Sequence, residues 1–130
     1  GDMYKVKVSN EGAYKFNVRS GDYEFSIDAS GKGITPPDAL LASVGSCIGV
    51  YIRKYVDGAK LAIKDFTVSV EADFGKVPPY CFRRIDVVID LKGVELDERR
   101  KKAILEFIRN CPVHNTLKNN PEINTRLVKP

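Results

Sequence analysis

From Ala39 to Ile52 the chain runs for 14 residues without a charge. Leu40, Leu41, Val44, Cys47, Ile48, Tyr51, Ile52 and Tyr55 recur through this run and just beyond it at spacings of three and four. Such a stripe is one face of a long helix, and other elements must cover it. The run is shorter than the roughly 18 residues a bilayer span needs, so it reads as a core helix rather than an anchor. Gly45 and Gly49 flank the stripe, where a missing side chain lets another element come close. Thr35-Pro36-Pro37-Asp38 supplies the start, a hydroxyl ahead of prolines whose fixed φ suits a first turn, and Asp57-Gly58 supplies the stop.

The segments around this helix alternate with period two. Tyr4, Val6 and Val8, then Tyr14, Phe16 and Val18, then Tyr23, Phe25 and Ile27 predict a meander of three strands, with turns at Asn10-Glu11-Gly12 and Ser20-Gly21-Asp22. Phe66, Val68, Val70 and Ala72 predict a long strand, and Ile85, Val87, Ile89 and Leu91 a second one opened by Cys81 or Phe82. Gly75 and Pro78-Pro79 between them make the pair an antiparallel ribbon. A helix entered from Val94 to Glu98 carries Ala103, Ile104, Phe107, Ile108 and Cys111 on its apolar side. Pro112 starts a short helix to Lys118, capped by Asn110 or Cys111, and Ile123, Thr125 and Leu127 read as a last edge strand. The fold class is α+β, in a single domain over residues 1–130.

Composition narrows the function. With 43% hydrophobic and 29% charged residues the 130-residue chain is an ordinary globular domain, which excludes disordered and fibrous classes. A net charge of +4 is far from the clustered charge of a nucleic-acid binder. Arg99-Arg100-Lys101-Lys102 follows Glu95, Asp97 and Glu98, the acid-then-base order of a solvated helix. Neither nucleic acid nor membrane is expected as a partner. The N-terminal residues lack the basic-then-apolar order of a secretion signal, so a cytoplasmic setting is expected.

Three cysteines, at 47, 81 and 111, do not make a secreted disulfide framework. Cys111-Pro112-Val113-His114 puts a thiol at a helix N-terminus, where free N–H groups and the dipole stabilise a thiolate, and His114 stands one turn on. The other reading of Cys111 is a last apolar contact of its helix. Cys47 by itself is a small hydrophobe on the buried stripe, and Cys81 reads as structural. As a pair, Cys47 and Cys111 lie 64 residues apart on inward helix faces, able to meet across the core as a dithiol/disulfide couple. A Cys3His zinc site from Cys47, Cys81, Cys111 and His114 has the ligand types but only one short-spaced pair.

The segment Thr35-Pro36-Pro37-Asp38-Ala39-Leu40-Leu41 through Gly45-Ser46-Cys47, followed by Asn110-Cys111-Pro112-Val113-His114-Asn115-Thr116-Leu117, resembles the two signature regions of the OsmC/Ohr family. These are the osmotically induced and organic-hydroperoxide-resistance proteins, and the similarity is closest to the OsmC-like branch. The resemblance implies an intertwined α+β homodimer and a peroxidase of organic hydroperoxides, with Cys47 as the attacking thiol, Cys111 as the resolving thiol and a lipoyl-type dithiol as reductant. It implies no cofactor and no metal. It also implies a glutamate ten residues before the first cysteine and an arginine in the N-terminal strands. Here Pro37 occupies the first position, with Asp38 one step later, and the second falls near Asn17, between Lys15 and Arg19. Asp38, Arg19 and His114 are therefore the candidate activators, and Arg83 or Arg84 from a partner chain is a further source of charge. Without them, the same fold serves as a dimer that binds a small apolar ligand or senses redox state.

Overall fold

A computed structural model describes residues 1–10 and 12–130, in two compact units, Gly1–Ala42 and Ser43–Pro130. The expected turn at Asn10-Glu11-Gly12 includes Glu11, which lies outside the described residues.

In the first unit β1 (Lys7–Asn10), β2 (Lys15–Ser20) and β3 (Tyr23–Asp28) form an antiparallel sheet in that order. The register sets Val8 against Val18 and Val18 against Phe25. The first strand starts later than its alternation suggests. Gly21, at φ +59°, turns the chain directly after Ser20, so β2 offers no partner to residues before Lys7. Val18 is buried, whereas Val8 and Phe25 beside it stay 57% and 55% exposed.

Helix α1 (Pro36–Gly58) joins the two units. Its start is a reciprocal cap, in which Thr35 Oγ1 accepts from the Asp38 N–H at 3.2 Å and Asp38 Oδ2 accepts from the Thr35 N–H at 3.1 Å. At 23 residues it exceeds the uncharged run, and by length and composition alone it could cross a membrane. Its stripe of Val44, Ile48, Ile52 and Val56 instead forms the core of the second unit. The helix ends at the expected stop, Gly58, in a Schellman motif with bonds from Leu61 N to Val56 O and from Lys60 N to Asp57 O. Lys60, at φ +54°, takes the left-handed position.

In the second unit β4 (Thr67–Phe74) and β5 (Phe82–Asp90) form the expected antiparallel ribbon. Val68, Val70, Val87 and Ile89 turn one face of it onto the α1 stripe. The glycine prediction holds here, because a Cβ on Gly45 would stand 3.0 Å from Val70 Cγ2 and one on Gly49 would stand 3.7 Å from Phe66. Helix α2 (Glu98–Phe107), N-capped by Asp97, seats Phe107 against the rings of Tyr51 and Tyr55 at 5.9 and 5.8 Å. A 3-10 turn (Ile108–Asn110) follows, and α3 (Pro112–Lys118) starts with Cys111 as its N-cap. The apolar path from Ala103 to Cys111 is therefore a helix plus a tighter turn. No strand forms at Ile123–Leu127, where Ile123 and Leu127 are 84% and 96% exposed. A strand needs a paired neighbour, and among the described residues no strand pairs with this segment.

Candidate active site

Two features of the sequence put Cys111 where it is. Pro112 lacks an N–H and cannot continue the path from α2, yet it suits the first position of α3. Cys111 is thus the hinge residue between them, and the aromatic contacts of Phe107 with Tyr51 and Tyr55 press this hinge onto α1. The Cys111 side chain is fully buried in the core cluster, and Cys47, half-buried on α1, packs against the same cluster. The two thiols meet. The Cys47 side chain acts directly on the acidity of Cys111, and Cys111 Sγ accepts the backbone N–H of His114 at 3.4 Å.

The electrostatic balance at Cys111 goes against the expectation from helix position. The N–H groups of His114 and Val113 favour a thiolate, as a helix N-terminus should. Burial, together with the neighbouring Cys47 side chain, outweighs them and raises the thiol above its ordinary 9.0. Cys111 is accordingly a thiol that is slow to give up its proton.

The candidate activators are placed differently. Asp38 spends its carboxylate on the Thr35 N–H and hydroxyl, and these bonds hold its acidity below the usual range. Arg19 bridges Glu24 at 2.9 Å within the three-stranded sheet, and Asn17 donates to the same Glu24 carboxylate. His114 contributes its main-chain N–H to Cys111 and turns its side chain into a cleft of about 480 Å³. Val44 and Ile48, on either side of Cys47 in α1, form part of the cleft wall, with Val87 and Leu117. Arg83, Arg84 and Lys118 also line it. Sequence reading singled out His114 and the two arginines but not Leu117 and Lys118. The available signal was their spacing from His114, three and four residues on, which marks one face of α3.

Cys81 is exposed at the start of β5, away from the buried pair. Among the described residues no group of three or more His, Cys, Asp or Glu is arranged to hold a metal ion. The Cys3His arrangement is thus not assembled.

The family model for OsmC-like proteins matches residues 29–126. Among solved structures, an OsmC-like protein from Mycoplasma pneumoniae superposes with a TM-score of 0.76 at 21% identity, covering 92% of this chain and 89% of the other. An organic hydroperoxide resistance protein from Legionella pneumophila gives 0.65 at 17%, covering 92% and 93%. The organic hydroperoxide resistance protein OhrB of Bacillus subtilis gives 0.64 at 18%, covering 90% and 93%. Identities this low establish a shared fold. A search of curated protein sequences finds no significant match.

Proposed function

This chain belongs to the OsmC family, and from that premise we propose that it is a thiol peroxidase that reduces organic hydroperoxides. The observation that carries this reading is the meeting of Cys47 and Cys111 in one core cluster, where burial and the neighbouring Cys47 side chain tighten the hold of Cys111 on its proton.

In the proposed cycle the Cys47 thiolate attacks the O–O bond of the hydroperoxide. An S–O bond forms, the O–O bond breaks, and the leaving alkoxide takes a proton to depart as the alcohol. Cys111 then loses its proton and attacks the Cys47 sulfenic acid. An S–S bond forms, the S–O bond breaks, and the hydroxide leaves as water. Because Cys47 and Cys111 already pack in one core cluster, closing to the ~2.05 Å of a disulfide asks for a local movement. A dithiol of the lipoyl type supplies the two electrons that restore the thiols. The free state of all three cysteines suits a reducing, cytoplasmic setting.

The working form in this reading is a homodimer. Among the described residues the ribbon of β4 and β5 has both outer edges unpaired, and the exposed Val8, Phe25 and Leu127 add apolar surface for a second copy to cover.

One observation favours a second reading, a non-catalytic dimer that binds an apolar ligand or senses redox state. Asp38 and Arg19 are committed to Thr35 and Glu24, so the charges that would activate Cys47 are not supplied by them. Steady-state turnover separates the two. With tert-butyl hydroperoxide and dihydrolipoamide, a peroxidase consumes reductant catalytically and Cys47→Ser abolishes it. Consumption no faster than the uncatalysed rate selects the second reading.

A further inference from the structure

The helices of this chain start on side-chain caps of different chemistry. Thr35 and Asp38 cap α1 through oxygen, and Asp97 caps α2 by accepting the Arg100 N–H at 2.8 Å. Helix α3 starts on sulfur, with Cys111 Sγ accepting the His114 N–H at 3.4 Å. Asn110, the other residue able to cap here, turns its side-chain amide back to Phe107 O at 3.0 Å.

Helix α3 depends on this cap. It has seven residues, none of them buried, well short of the roughly 12–15 at which an isolated helix becomes marginal. Every residue from 115 to 130 is exposed within the chain. What ties the segment to the second unit is Cys111 in the core cluster and Val113 packed against it.

We propose that forming the Cys47–Cys111 disulfide withdraws the N-cap of α3 and opens that helix, so that the redox state of a buried pair is displayed at the surface as the order of residues 113–118. Making the S–S bond removes two protons and two electrons from the pair, which the oxidant takes up, and brings the sulfurs to ~2.05 Å. Ile48 and Ile52, beside Cys47 on α1, are 5% and 0% exposed and hold that helix in place, so the approach falls on the Cys111 hinge. Sulfur is a weak acceptor, and the long bond to His114 is lost as Sγ turns toward Cys47. A lost cap then releases a helix too short to persist without it. The device rests on the pairing of Cys47 with Cys111 and not on peroxide turnover, so it serves a peroxidase and a redox sensor alike.

Amide hydrogen exchange followed by NMR on the full chain tests it, in the reduced form and after oxidation by diamide, with the Cys47–Cys111 bond verified by mapping of non-reduced peptides. The amides of His114 to Lys118 should exchange at least about fivefold faster in the disulfide form, the shift a lost N-cap produces, while those of Ile52 and Val56 on α1 do not speed up. Cys47→Ser given the same diamide treatment should show no acceleration. Reduced Cys111→Ala should show the fast α3 exchange without any oxidant, whereas Cys111→Ser, whose hydroxyl can cap, should not. Unchanged α3 exchange in the verified disulfide form, or acceleration that extends to Ile52 and Val56, would overturn the proposal and leave the disulfide standing. Failure of diamide to form the disulfide would overturn the pairing of Cys47 with Cys111 itself, and this proposal with it.

Discussion

Cys111 packs in one core cluster with Cys47, and burial together with this neighbour tightens its hold on its proton before any substrate arrives. A buried donor that is slow to lose its proton is a poor first nucleophile. It is well suited to wait until its partner has been oxidised.

The raised pKa of Cys111 has a signature in stability. The folded protein holds this proton more tightly than the unfolded chain, so the contribution is fully present below the ordinary 9.0 and is lost as pH rises beyond it. Denaturant unfolding at pH 7 and pH 10 should show a larger alkaline loss in the reduced chain than in Cys111→Ala. Equal losses would remove Cys111 as the cause.

Gly45 and Gly49 should respond oppositely to alanine. At Gly49 the new Cβ meets Phe66 at 3.7 Å, an ordinary contact, so the gain in helix propensity stabilises by about 0.5–1 kcal/mol. At Gly45 it meets Val70 Cγ2 at 3.0 Å, and overpacking against a β-branched side chain on a strand should leave a net loss of about 1–2 kcal/mol. Chemical denaturation of both variants reads the two signs directly.

Lys60 holds a left-handed φ of +54° at the end of α1 with its side chain exposed. Glycine avoids the Cβ clash of that conformation, and Lys60→Gly should raise stability by about 0.5–1 kcal/mol. A fall in the melting temperature would show that the Lys60 side chain contributes more than its backbone conformation costs.

Asp38 should behave as a cap. Asp38→Ala removes the acceptor of the Thr35 N–H and hydroxyl, so the melting temperature should fall while the rate of hydroperoxide-dependent thiol loss stays unchanged. A several-fold drop in that rate at constant melting temperature would make Asp38 an activator of Cys47.

What the sequence made legible was local chemistry. Thr35-Pro36-Pro37-Asp38 named its own helix start, and Pro112 narrowed the next cap to Asn110 or Cys111, of which the structure selects Cys111, because both depend on a few neighbouring atoms. The direction of the Cys111 pKa was not legible, since it depends on burial created by Ile52, Val56 and Ile104, distant in the chain. Helix position pointed one way and packing won. Ile123, Thr125 and Leu127 alternate as a strand should, yet alternation names only a face, and among the described residues no strand pairs with this segment. The cleft escaped notice for a related reason. Arg84 and Lys118 become neighbours only when β5 and α3 come together.

The most direct test of the proposed chemistry is a single turnover of the reduced chain with one equivalent of cumene hydroperoxide, quenched by alkylation and mapped as non-reduced peptides. We predict that two thiols disappear as a Cys47–Cys111 disulfide, that Cys111→Ser stops at the Cys47 sulfenic acid, and that Cys47→Ser loses none. Survival of all three thiols, or loss confined to Cys81, would contradict the assignment of Cys47 and Cys111 as the reacting pair.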